Sequence, residues 1–301
     1  MRYTSIPLAL ALSFLTVVPA VAARDAALET KLRAAAAAYG GKVAFYAAAS
    51  DGRTAELNAD TPVPTASVIK LTVLFEALKE IQAGRVSLHD TLTMTPQDPV
   101  PGSGVLRLFD APLKITLKDA LTMMVTVSDN TATNLVIDRL GIQNIDNRIQ
   151  WLGLHDTWLY KKVFKPAPPG VPADQPTFGL GKTTAREMAS VIQRIATCAL
   201  NAPGDTTPPS ASDRALCDTA VEMLKNQTDR DGIPRYLGED VANKTGSLDE
   251  VRNDVGVVYA KNGPIVISAF TYDNADKSWT PDNRGTLLIA RLAKIVDDAW
   301  K

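Results

Sequence analysis

Val251-Arg252-Asn253-Asp254-Val255-Gly256-Val257-Val258-Tyr259-Ala260-Lys261-Asn262-Gly263-Pro264-Ile265-Val266-Ile267-Ser268-Ala269-Phe270-Thr271-Tyr272 is the stretch on which the fold turns. Two β-branched runs, Val251 to Lys261 and Pro264 to Tyr272, are separated by Asn262-Gly263, a pair that accepts the positive φ angles of a tight hairpin turn. Near the other end of the chain, Lys42 to Ala49 alternates around Val43, Phe45 and Ala47, turns at Asp51-Gly52 and resumes from Thr54 to Leu57. That is a second hairpin signal. Each hairpin has a helical neighbour. Ala26 to Tyr39 precedes the first, and Gly285 to Trp300 follows the second with Leu287, Leu288, Leu292, Ile295 and Val296 at core spacing. Between Ser67 and about Leu200 the pattern is mostly helical, with Val68, Leu71, Phe75 and Leu78 on one face and Leu117, Leu121, Met124 and Leu135 to Leu140 on later ones. A helical block inserted between strand-bearing ends predicts an α+β fold: an antiparallel sheet sandwiched by flanking helices, plus an inserted all-helical subdomain. The strand-bearing part is expected over about 24–61 and 205–301, the helical part over about 62–204, with a cleft between them. Lys165 to Gln175, with Pro166, Pro168, Pro169 and Pro172, reads as an extended surface loop. Asn201 to Ser212 reads as a turn-rich connection back to the strands.

The 301 residues are 46% hydrophobic and 22% charged, enough to bury a full core. A formal net charge of −1 leaves no basic excess, so nucleic acid and an anionic membrane surface are poor partners and a small molecule is the better one. Met1-Arg2, an apolar run from Ile6 to Val18, and Pro19 before Ala20-Val21-Ala22-Ala23 have the pattern of a secretory leader over 1–23. A retained anchor is the alternative, but the run is short for a span. Export to the periplasm or medium is therefore expected, without a stable membrane anchor, and as a monomer. In that compartment Cys198 and Cys217 are candidates for a disulfide, against two buried free thiols. Only two histidines occur, His89 and His155, so neither a histidine-based triad nor a multi-histidine metal site is supported, and no cofactor or metal is expected.

Three short strings carry chemistry. Ser67-Val68-Ile69-Lys70 places a lysine three residues after a serine, on one helix face, where its amine could take the hydroxyl proton. A serine is a weak nucleophile without such a base, and the lysine pKa has to fall, as burial beside Lys244 would make it do. Alone the string is weak: it is expected roughly once in a chain this long, and Ser67 could equally cap a helix. Ser128-Asp129-Asn130 falls between two helical stretches and could also be a cap for Thr131 onward. Lys244-Thr245-Gly246 lies ahead of the Val251 strand and could be an ordinary polar strand end. Order and spacing of all three together are what single them out.

With these motifs the chain resembles the penicillin-recognising serine hydrolases, and most of all class A β-lactamases. The likeness extends from the first hairpin to the last helix and includes the text flanking Ser128 to Asp138 and Lys244 to Val257. The resemblance implies that Ser67 is acylated, Lys70 accepts its proton and Ser128 relays a proton to the leaving nitrogen. It implies that Asn130 holds the substrate's side-chain amide, and that Lys244, Thr245, Ser247 and Arg252 serve its carboxylate. Backbone N–H groups of Ser67 and Ser247 would form the oxyanion hole.

One family feature is missing. Class A enzymes carry a glutamate and, four residues on, an asparagine in a loop after the helical block, where they hold the hydrolytic water. Leu159 to Thr184 contains neither. Glu187, the one glutamate between Ser128 and Ser190, reads as part of a Thr184 to Glu187 capping box. Asp174 is the loop carboxylate that could substitute, against a plain solvated role. A β-lactam hydrolase acting through an acyl-enzyme on Ser67 is the leading expectation. A D-alanyl-D-alanine carboxypeptidase or other penicillin-binding protein, and a non-hydrolytic β-lactam or muropeptide sensor, are the alternatives.

Overall fold

Strand alternation at both ends of the chain is resolved by pairing the two hairpins with each other. In the computed structural model, which describes residues 23–301, β1 (Lys42–Ala49) and β2 (Arg53–Leu57) form the first hairpin. β3 (Val241–Leu248), β4 (Val251–Ala260) and β5 (Gly263–Tyr272) form an antiparallel meander. β5 pairs with β1, Ala269 opposite Phe45, which joins both chain ends in one six-stranded sheet. A two-residue edge strand, Ala23–Arg24, completes it alongside β2. The β4–β5 turn lies one residue earlier than the sequence pattern indicates. Ala260 pairs with Gly263, so Lys261-Asn262 make the turn and Gly263 opens the strand.

The sheet separates two cores. On one face Val43, Phe45 and Ala47 of β1 and Ile265, Ile267 and Ala269 of β5 pack against α1 (Ala26–Ala37) and the last helix, Arg284–Trp300. On the other face Ala44, Val255, Val257, Val266 and Phe270 meet the helical block. Because both faces are covered, β4 and β5 read as near-continuous apolar runs with only a muted alternation.

The helical block consists of α2 (Lys70–Gln82), α3 (Leu117–Thr126), α4 (Asn130–Leu140), α5 (Ile142–Trp151), α6 (Ala185–Thr197) and α7 (Ala211–Lys225), with the last helix as α8. α2 is buried without interruption from Lys70 to Leu78, so it is the axle of the block and its start is held rigidly. The segment after Asn201 runs into α7, which the sequence pattern did not distinguish from a connection. α7 sends Leu216, Ala220, Met223 and Leu224 into the same core as α2. Cys198 and Cys217 are disulfide-bonded, tying the end of α6 to α7. Their separation of 19 residues sets the loop that the bond closes. Cys198→Ser is expected to lower unfolding free energy by about 3 kcal/mol, measured as a drop in denaturation midpoint, with a steeper slope because the unfolded chain loses its cross-link.

The expected leader over 1–23 lies outside the described residues except for Ala23. Among the described residues no helix is long and apolar enough to cross a membrane.

Candidate active site

Ser67 lies in a single 3-10 turn, Ala66–Ile69, that feeds directly into α2 at Lys70. The turn is 3-10 rather than α-helical, and because residues three apart eclipse in such a turn, Ser67 and Lys70 still share the expected face. From that face the lysine extends to the α3–α4 junction. There Lys70 Nζ donates to the Ser128 carbonyl at 2.7 Å, to Ser128 Oγ at 3.0 Å and to Asn130 Oδ1 at 3.0 Å. An ammonium has three protons, so a charged Lys70 is fully spent on these partners. A neutral amine gives up one of them and gains a lone pair for the Ser67 proton.

Ser128 adopts a left-handed backbone conformation, φ +53°, between α3 and α4. Asp129 fixes that corner. One carboxylate oxygen caps α4 through Ala132 N at 2.9 Å, and the other accepts from Val105 N and Leu106 N, both at 2.7 Å. The capping role seen in the sequence is therefore real, and the same side chain pins the 101–106 loop against the site. Asn130 Nδ2 donates to Pro101 O at 3.0 Å from that loop.

β3 brings in the third motif. Lys244 Nζ is fully buried and donates to Ser128 Oγ at 3.1 Å and to Thr245 O at 2.7 Å. Ser128 Oγ thus stands between two amines, one from each side of the cleft. Gly246 makes the approach possible. A Cβ there would lie 2.8 Å from Thr65 O and 2.9 Å from Ser67 N, so any side chain would push the strand off the nucleophile turn. Ser67, Ser128, Thr245, Ser247 and Arg252 line a cleft of about 320 Å³, with Ser103, Asp229 and Trp279 at its walls. Lys70, Lys244 and Asn130 are buried beneath it.

Burial, and then the neighbouring Lys244 charge, hold Lys70 well below the usual lysine range. Burial also brings Lys244 down to about 8, against the pull of Asp229 and Asp254. Two cations on one hydroxyl are costly, and that repulsion adds to burial in favouring the neutral form of Lys70. Arg252 is placed at the cleft as expected, but much of its guanidinium is already committed. It donates to the carbonyls of Leu248, Val251 and Ser278 and stacks 4.9 Å from the Trp279 ring centroid. That leaves Nε–H and one Nη2 proton for a ligand. Trp279 had no signal in the sequence, since its role depends on the loop folding over Arg252.

Neither alternative carboxylate is free for a hydrolytic water. Asp174 accepts from Tyr160 Oη at 2.7 Å and pairs with Lys182 at 2.8 Å, and these partners hold its pKa below the usual range. Glu187 receives only half of a capping box. Thr184 caps Glu187 N, while the Glu187 carboxylate turns to Asp156 N at 3.1 Å and Thr157 Oγ1 at 2.6 Å. Where the loop is pinned to α4, Asn134 makes both backbone hydrogen bonds of Val163, at 2.8 and 3.0 Å. The residue presented there is a buried valine. Asn134 lies one helical turn after Asn130, a spacing from which this contact could have been sought.

Comparison with known proteins agrees with this geometry. A model of the beta-lactamase enzyme family matches residues 27–300. A Streptomyces fradiae protein named beta-lactamase is 28% identical, over 98% of this chain and 94% of its own. The beta-lactamase regulatory protein BlaB of Streptomyces cacaoi is 25% identical, over 71% of this chain and 78% of its own. The crystal structure of a beta-lactamase from Sphaerobacter thermophilus superposes with a TM-score of 0.76 at 28% identity, covering 90% of this chain and 96% of that one. The motifs, the buried lysine pair and the match across nearly the whole described length place this chain in the beta-lactamase enzyme family, with the fold of its class A serine enzymes.

Proposed function

We propose that the chain opens the β-lactam amide through an acyl-enzyme on Ser67 and releases the product slowly. The observation that carries this reading is the buried, charge-depleted Lys70 beside a cleft serine, with Ser128 Oγ held between it and Lys244. Neutral Lys70 takes the Ser67 proton as Oγ bonds to the lactam carbonyl carbon. The oxyanion forms against the Ser67 and Ser247 N–H groups. As the C–N bond breaks, Ser128 passes its proton to the nitrogen and is resupplied from the amines at 3.0 and 3.1 Å. Thr245, Ser247 and the remaining Arg252 donors serve the carboxylate, with Lys244 as the charge beneath. Asn130 holds the side-chain amide.

The same observation limits the second step. With Asp174 and Glu187 committed elsewhere and valine at the α4 contact, the loop supplies no base for the deacylating water. An acylated sensor would share that arrangement, and one of the relatives is named a regulatory protein. Mass spectrometry of the mature protein after mixing with benzylpenicillin distinguishes them. An adduct on Ser67 that decays over time supports hydrolysis, whereas one that never decays supports the sensor. No adduct on Ser67 defeats both, and release of D-alanine from a model peptide without lactam turnover would favour the carboxypeptidase.

The lysine pair also sets a pH profile. Lys70 acts neutral, so acylation rises with pH through its depressed pKa. Lys244 acts charged, so acylation falls as pH rises through about 8. A bell is expected in kcat/KM for acylation, and Lys244→Arg should move the alkaline limb upward by at least about one pH unit, because arginine keeps its charge. An alkaline limb unmoved in that variant would remove Lys244 from the role.

A further inference from the structure

The geometry points to Asn253 as a positioning residue that sets the aim of Ser67, an inference that rests on Ser67 being the nucleophile. Asn253 lies on β4 directly opposite Gly246 of β3. Opposed residues of an antiparallel pair project to the same face, and here one of the two has no side chain. The Asn253 amide reaches across the space that the glycine leaves open. Nδ2 donates to Pro64 O at 2.9 Å and to Thr65 O at 3.1 Å, the carbonyls of the two residues that lead into the nucleophile turn. The side chain is buried, and Oδ1 has no hydrogen-bond partner among the described residues.

The idle oxygen is informative. Turning the amide over would set Oδ1 against two carbonyl oxygens, so the orientation is fixed by the two donor contacts. A buried acceptor left unpaired is a cost, and the group is kept for its two donors. Those donors act where the backbone most needs holding. Ala66, next after Thr65, has φ +45°, a left-handed value that an alanine does not adopt unaided. Such a conformation persists only where its surroundings over-determine it. Three contacts do so: Thr65 N donates to Gly181 O at 3.0 Å, Val68 N donates to Thr65 O at 3.1 Å, and Asn253 ties Thr65 and Pro64 to the sheet. The first two fix the turn to the Gly181–Thr183 strand and to itself. Beside the close packing of Gly246, the Asn253 amide gives the side-chain hydrogen bonds that tie it to the strand pair carrying Lys244, Thr245 and Ser247. The relative placement of the Ser67 hydroxyl, its own N–H and the Ser247 N–H therefore depends on this amide.

Near-attack geometry is sensitive, a displacement of about 1 Å costing on the order of 10²-fold. Asn253→Ala should lower the acylation rate constant for nitrocefin by roughly 10²-fold. The dissociation constant of the non-covalent complex should stay within about threefold, because Thr245, Ser247 and Arg252 are untouched. Asn253→Asp keeps the shape but faces two carbonyls with acceptors, so its loss should be larger. Asn253→Ser keeps one donor and should fall between, and it gives the reading if the alanine variant does not fold. Stopped-flow acylation separates the two constants, with the fraction of folded protein fixed by circular dichroism. An acylation constant within threefold of the parent in folded Asn253→Ala or Asn253→Ser overturns the inference while leaving acylation at Ser67 intact. So does a loss confined to the dissociation constant. A parent protein that is not acylated at Ser67 overturns both.

Discussion

Mixed with excess nitrocefin, the mature protein is expected to release about one equivalent of product in a burst and then to turn over at a rate lower by roughly 10²–10⁴-fold, the usual contribution of a general base. The burst follows from a complete acylation apparatus: a cleft serine, a buried amine held below its usual pKa, and a proton relay through Ser128. The slow phase follows from the loop. Asp174 is tied to Tyr160 and Lys182, and Asp174→Asn should therefore leave the slow rate within about twofold of the parent. Ser67→Ala should abolish both the burst and the covalent adduct. Fast linear turnover that Asp174→Asn leaves unchanged would show that a group outside the loop activates water. A burst that stops when Asp174 is changed would restore that residue as the base.

Lys70→Met is expected to cost about 10²–10⁴-fold in the acylation rate. The variant is close in length and apolar, so the axle helix α2 should keep its packing while Ser128 Oγ, its carbonyl and Asn130 Oδ1 lose one donor each. Substrate affinity before acylation should change far less than the rate, because Lys70 lies beneath the cleft and Thr245, Ser247 and Arg252 line it. Removing the amine should also remove the acid limb of the pH profile, leaving the alkaline limb near 8 that belongs to Lys244. A residual acid limb of the same position in Lys70→Met would assign that titration to another group. Equal losses in affinity and rate would mark Lys70 as a structural support.

The amino-acid sequence by itself determined the elements and the motifs. Alternation marked Lys42 to Ala49 and Thr54 to Leu57 as a hairpin, β-branched runs marked β4 and β5, and apolar spacing marked α2 and the final helix, because those periods are local properties of the chain. The order Ser67, Lys70, Ser128, Lys244 was enough to outline a serine acyl-transfer site, and a leader-like N-terminus to make Cys198 and Cys217 candidates for the disulfide that the structure contains. α7 was not legible as such, since its turn-rich approach resembled a connection and its burial depends on α2 and α6 being beside it. Tertiary structure alone decided how the site works. Lys70 reaches Ser128 and Asn130 because α2 packs against α3 and α4, whose junction carries both. Arg252 is largely spent on carbonyls of Leu248 and Val251 at the β3–β4 turn and of Ser278 in the 274–283 segment, which also lays Trp279 over it. Asn253 and Gly246, on separate strands, become neighbours only through sheet register and together hold the Ser67 turn. Distances, burial and the competition for each donor arise when segments far apart in sequence meet, and no local pattern encodes them.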